Sequence, residues 1–216
     1  CALHGVKRVV YISSSMVYET CIQDPAHPVS EDLVDDCPMP KTEYGVSKLL
    51  GERMCEAFHK QYGIEYVIWR PFNIITPHEK SMKEQGFSHV FADFVTNIVE
   101  KQLNPLPIIG DGLQIRCFTW IDDVATIIAE HSFSNATTNQ AYNICNVEPI
   151  TMRDLAGKIF SISNQSGILE FETVKEYKND VMVRIPNINK LNSILGAHEF
   201  KKIDQSIRQC LELHRK

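Results

Sequence analysis

A chain of 216 residues with 44% hydrophobic content can bury a real core, and its length suits one domain or one and a half. Its formal charge of −5, with no dense basic run, excludes the electrostatic footprint that nucleic acid or an anionic membrane surface requires. Seven scattered cysteines without a CxxC pair read as reduced thiols rather than a disulfide framework or a metal site. With no membrane-length apolar stretch and no signal peptide, they predict a soluble, cytoplasmic protein.

Arg8 to Ser13 (RVVYIS) is β-branched and aromatic and is closed by serines, which predicts a strand covered on both faces. The proline-spotted acidic stretch 17–42 predicts a surface loop. From Glu43 to Tyr62 the apolar residues Val46, Leu50, Met54, Ala57 and Phe58 recur at helical spacing, and Gly63 supplies the stop of a long helix. Ile64 to Arg70 is a second strand, ended by Pro71. Strand, helix and strand in that order predict a parallel α/β layer, half of a doubly wound sheet.

Further on, Val90 to Gln102 predicts an amphipathic helix and PLPII a short strand. Asp122 is placed to cap another helix, and Ala141 to Cys145 reads as a buried strand. Thr151 with Asp154 resembles a capping box opening a helix through Leu155 and Ile159, and a last helix closes the chain. There are no repeats and no flexible linker.

The segment YGVSK sets Tyr44 and Lys48 four residues apart, on one face of the predicted helix and about a turn apart. A lysine cation close to a phenol stabilises the phenolate, which fits tyrosine for exchanging protons with a substrate hydroxyl. By itself the pair is a weak signal, far more often a solvated helix face. The order of neighbours argues otherwise: a buried strand ending in SSSMVY, a loop, the helix with YxxxK, then a strand ending in RPFN.

This arrangement resembles the extended short-chain dehydrogenase/reductase superfamily, in particular its NAD-dependent nucleotide-sugar epimerase/dehydratase family, over nearly the whole chain. The resemblance implies a triad of Ser14, Tyr44 and Lys48. Ser14 would hold the reacting hydroxyl, Tyr44 would move its proton, and Lys48 would hold the nicotinamide ribose. It further implies cofactor contacts from Ser13, Pro71 and Phe72, with NAD as the cofactor and NADP the alternative. WRPFN, GDGLQIR and RIPNINKLNSILG resemble family segments that grip the sugar nucleotide, which nominates Asn73, Arg116 and Arg184; two fixed guanidiniums suit a diphosphate.

The implied fold is the second half of a Rossmann-like doubly wound parallel sheet plus a small mixed α/β substrate-binding subdomain. Residues 1–75 would be a partial NAD-binding domain with the triad, and 76–216 a substrate-binding region, with 121–148 packing back on the sheet. The family sets a glycine-rich loop and four strands ahead of the strand found at Arg8 to Ser13. The sequence therefore looks like the C-terminal portion of a longer, homodimeric enzyme, and these residues alone are expected to bind NAD weakly or not at all and to be inactive.

Family dehydratases carry an acidic pair directly after the triad hydroxyl residue, where this chain has Ser15 and Met16. That disfavours elimination and leaves epimerisation of a nucleotide-diphosphate sugar as the expected reaction. The alternatives are a reductase or dehydratase of the same family, or a non-catalytic binding module that keeps the fold. Glu19 stands where the family usually has glycine after VY, and Ile109 where an aromatic often stacks on the base, so the nucleotide base is left open. His78 and His89, in the expected substrate loop, are read as ordinary polar residues.

Overall fold

The computed structural model describes residues 1–21, 24–79, 81, 89–174, 181–196 and 198–214. The chain runs β1 (Arg8–Ile12), α1 (Glu43–Tyr62), β2 (Glu65–Pro71), β3 (Ile74–Ile75), α2 (Val90–Val95), β4 (Leu106–Ile109), β5 (Ile115–Cys117), β6 (Thr119–Trp120), α3 (Ile121–His131), β7 (Gln140–Ile144), β8 (Pro149–Thr151), α4 (Met152–Ile162), β9 (Phe171–Val174), α5 (Asn189–Leu195) and α6 (Ile203–His214).

β1, β2 and β7 form one parallel sheet in that order, in a register that sets Ile12 beside Trp69 and Trp69 beside Tyr142. Parallel neighbours need a crossover, and α1 supplies the one between β1 and β2. Successive side chains of a strand point to opposite faces. Val10, Val67 and Trp69 accordingly meet Val124, Ile127 and Leu191 of α3 and α5 on one face. Tyr11 and Arg70 face α1 on the other. The helix comes close there because Gly51 has no side chain; a Cβ at that position would overlap the Tyr11 ring. The sheet thus lies between helices, an α/β arrangement.

A second core gathers α2, α4 and α6 around Trp120, Phe94, Ile98 and Leu155. A third, smaller one lies under the loop before α1 and is centred on Val17, Tyr18, Val29 and Phe72. Among the described residues no helix is long and apolar enough to cross a membrane.

Four expectations change. Cys21 and Cys37 are joined by a disulfide with their Cα atoms 5.1 Å apart, because the 17–42 loop doubles back on itself; the reading of seven separate reduced thiols does not hold. Cys117, Cys145 and Cys210 are buried and act as small core residues. Asp122 does not cap α3: its carboxylate accepts from Trp120 Nε1 at 2.8 Å, and Trp120 takes the cap position without a side-chain bond. The helix expected over 90–102 is α at Val90–Val95 only and continues as a π turn over Thr96–Glu100, before Gln102 turns into the left-handed region at φ 52°. Finally, the apolar row Leu50, Met54 and Phe58 of α1 points outward, at 57%, 51% and 40% exposure.

Candidate active site

β1 ends in extended backbone, and the next residues turn sharply. Ser13 N donates to Trp69 O at 2.7 Å, continuing the ladder one residue past β1. Ser14 is buried, has φ −159° and caps a 3₁₀ turn over Ser15–Tyr18, its Oγ accepting from Met16 N at 3.2 Å. A short polar side chain that bonds the backbone two residues on suits such a turn.

Tyr44 lies in the first turn of α1, whose N-cap is Thr42, with Thr42 Oγ1 accepting from Gly45 N at 3.1 Å. Its side chain is 52% exposed. Lys48 Nζ donates to Ile12 O at 2.9 Å and lies 5.5 Å from the centre of the Tyr44 ring. A would-be Cβ on Gly45 would come within 3.0 Å of Met16 O, so the helix start sits directly on the turn that Ser14 opens. Ser14, Tyr44 and Lys48 are therefore brought together at the carboxyl end of β1, where ligands of open α/β sheets bind.

A third residue continues that helix face. Tyr44, Lys48 and Glu52 are spaced by four: the first is exposed, the second spans the rim, and the third is fully buried. Glu52 accepts from the hydroxyl of Ser13 and holds Arg70 in a bidentate pair, Nε to Oε1 at 2.9 Å and Nη2 to Oε2 at 2.7 Å. Arg70 Nη1 also donates to Tyr18 Oη at 2.6 Å and to Glu31 O at 2.8 Å. Tyr18 donates on to Asn143 Oδ1 at 2.9 Å, while Asn143 N donates to Glu31 Oε1 at 2.8 Å. This network ties α1, β2, β7 and the loop together beneath Tyr44 and Lys48. The fixed ionic and hydrogen-bonded partners of Arg70 outweigh its burial and raise its pKa further. Burial pushes the Tyr18 phenol well above the ordinary range. Sequence reasoning missed the network; the only local trace is an acidic residue four positions after Lys48.

The remaining expected contacts divide. The Ser13 hydroxyl is spent on Glu52, in the interior. Phe72 is fully buried, with its ring 6.2 Å from that of Tyr18, so its side chain packs the third core. Pro71 ends β2 half-buried beside Ile144. Asn73 Nδ2 donates to Cys117 O at 2.9 Å and Asn73 O accepts from Thr119 N at 3.0 Å, fastening the strand end to the segment that carries Arg116. Arg116 Nη1 donates to Ile115 O at 2.9 Å. Arg184 is buried, its Nη1 lies 3.1 Å from Met16 Sδ, and its backbone N donates to Ile115 O at 3.0 Å. The two arginines thus sit on paired segments, and Arg184 reaches within two residues of Ser14. His89 Nδ1 lies 2.8 Å from Glu79 Oε1; most of the expected substrate loop between His78 and His89 lies outside the described residues.

An exposed phenol beside an ammonium, at the strand end that Ser14 terminates, can move a proton at a hydroxyl of a bound ligand. Comparisons with known proteins give the family. The chain matches the NAD dependent epimerase/dehydratase family over residues 1–145. It is 29% identical over 171 residues to an uncharacterized UDP-glucose epimerase of Bacillus subtilis, covering 79% of this chain and 49% of that protein. It is 27% identical over 223 residues to a UDP-N-acetyl-alpha-D-glucosaminuronate decarboxylase of Bacillus cytotoxicus, covering 99% and 65%. Among solved structures, UDP-glucuronic acid 4-epimerase of Bacillus cereus, in complex with NAD and UDP-4-deoxy-4-fluoro-glucuronic acid, superposes with a TM-score of 0.79 at 27% identity, over 96% of this chain and 61% of that one. The chain therefore spans about half to two thirds of the length of the proteins it matches.

Proposed function

The chain belongs to the NAD-dependent epimerase/dehydratase family, and on that premise we propose that it carries the catalytic and sugar-nucleotide portion of a nucleotide-sugar epimerase. The observation that carries this reading is the exposed Tyr44 phenol, with Lys48 Nζ 5.5 Å from its ring, at the strand end that Ser14 terminates. NAD, when bound, takes a hydride from a sugar carbon and returns it.

The chain's own residues do the rest. Tyr44 removes the proton from the hydroxyl on that carbon and later gives it back to the ketone oxygen. Ser14 hydrogen-bonds that oxygen, while Arg116 and Arg184 neutralise the diphosphate and Asn73 and Pro71 shape the entrance. The donors Tyr44 and Lys48 fit the nicotinamide ribose. No GxxGxxG turn occurs in these 216 residues, so by themselves they bind NAD weakly. Ser15 and Met16 follow Ser14, and neither is a carboxylate that could expel water, which favours epimerisation over dehydration.

The functional unit is a homodimer in this reading. Leu50, Met54, Phe58 and Tyr62 make an exposed apolar row along α1, and a second copy of the helix would cover it.

The test is turnover by the whole protein with NAD and a panel of nucleotide sugars, followed by proton NMR of the sugar. Interconversion of epimers without loss of water or carbon dioxide is expected, and Tyr44→Phe lowers turnover on the order of 10³-fold. A dehydrated or decarboxylated product overturns epimerisation. Undiminished turnover in Tyr44→Phe overturns the assignment of the proton carrier.

A further inference from the structure

We infer that Glu19 is a positioning residue: its carboxylate fixes the first turn of α1, and with it Tyr44, against the short turn that begins at Ser14. The inference rests on Tyr44 being the proton carrier proposed above.

Glu19 Oε2 accepts three hydrogen bonds: from Lys41 N at 3.0 Å, Thr42 N at 3.0 Å and Thr42 Oγ1 at 2.9 Å. The Thr42 hydroxyl, having given its proton to Glu19, turns a lone pair to Gly45 N. Carboxylate, hydroxyl and helix amide therefore form one chain that brackets Tyr44 on both sides. The carboxylate also lies at the positive end of a 20-residue helix, where charge-assisted bonds to backbone N–H are strong. With glycine at 19, which the resemblance leads one to expect, Lys41 N and Thr42 N would turn to water and the Thr42 hydroxyl would rotate freely.

The other end of the same segment completes the clamp. Glu19 N donates to Met16 O at 3.2 Å, and Met16 O is the atom that faces Gly45. Six residues, Ser14 to Glu19, thus hold the substrate-binding hydroxyl at one end and grip the tyrosine's helix at the other. The neighbouring residues tie down the same loop: Thr20 Oγ1 donates to Pro38 O, and Cys21 is bonded to Cys37. Because those two ties remain when Glu19 is changed, the loop keeps its path and only the last tie, nearest Tyr44, is released. Reacting groups misplaced by about 1 Å can cost on the order of 10²-fold in rate, so a small loosening here is legible in turnover.

The experiment compares Glu19→Ala with Glu19→Gln, which keeps an acceptor oxygen. On the 216-residue chain, Glu19→Ala is expected to speed amide exchange at Gly45 by about tenfold and to weaken the NOE between the Tyr44 ring and the Lys48 ε-methylene, with the thermal midpoint nearly unchanged. In the whole enzyme kcat falls by about tenfold while KM stays within about twofold, and Glu19→Gln recovers most of both signals. Unchanged exchange and an unchanged NOE in Glu19→Ala overturn the clamp. So does a loss that follows a fall in the thermal midpoint and that Glu19→Gln does not repair. If Tyr44→Phe turns over normally, the catalytic reading fails, yet exchange and NOE on the chain still decide the role of Glu19.

Discussion

Two tyrosines and a glutamate show how burial sets the work that a side chain does. Tyr18 is sealed between Arg70 and Asn143, while Tyr44, on the helix that covers the same network, is half in solvent. Glu31 is buried at 7% exposure, and burial, the largest influence on it, pushes its carboxyl up against the opposing pull of Asn143 N. A carboxyl whose folded pKa is raised binds its proton more tightly folded than unfolded. Its ionisation therefore costs stability as pH rises above the ordinary carboxylate range. Glu31→Gln keeps an oxygen for Asn143 N and removes that cost. Urea denaturation over a pH series is expected to show the variant more stable at pH 7 to 8, with the gap closing toward about pH 4. A gap that widens on acidification is incompatible with this account. At this scale the residues legible in the sequence were those whose roles are set locally: Ser14 closes a strand, and Tyr44 and Lys48 share one helix face. The surroundings of Phe72 were not legible, because a motif fixes a residue's position but not its direction, and the third core around it gathers Val17, Val29, Cys117 and Ile185 from far off in the chain.

Helix α1 holds the site by its unlikely face. Its extent, Glu43–Tyr62 with Gly63 at φ 70° as the stop, follows from local signals that the sequence displays in full. Which side faces inward did not follow from its apolar row, because the partner surface offered by β1 and β2 is polar at its rim: Ile12 O accepts from Lys48, the Ser13 hydroxyl donates to Glu52, and Arg70 donates to Glu52 below. The same non-local logic hid the strands β3, β6, β8 and β9, two to four residues each, which exist only through their pairing. Glu52 and Arg70 are 1% and 4% exposed at their side chains, so removing one partner strands the other in the interior. Glu52→Gln is expected to cost about 3–5 kcal/mol in chemical denaturation, and the double change Glu52→Leu with Arg70→Met to recover much of it. A single variant that loses under about 1 kcal/mol would show that water already reaches the pair.

At the scale of the molecule, the chain builds a three-stranded parallel sheet, a helical second core and a small loop core. The α/β class was legible from the alternation of strand and helix signals; the disulfide was not, since Cys21 and Cys37 meet only once the loop folds back. The outward row on α1 makes an assembly prediction. Phe58→Glu sets a charge amid that row and is expected to shift sedimentation from dimer to monomer with helix content unchanged; a variant that remains dimeric places the contact elsewhere. The sheet's order carries one more consequence. β1 and β7 are its outer strands, and among the described residues no strand pairs with the far side of β1. A bare margin of peptide donors and acceptors recruits other extended chains. A lysine introduced along that margin is accordingly expected to lower the light scattering of these 216 residues on heating without changing their thermal midpoint.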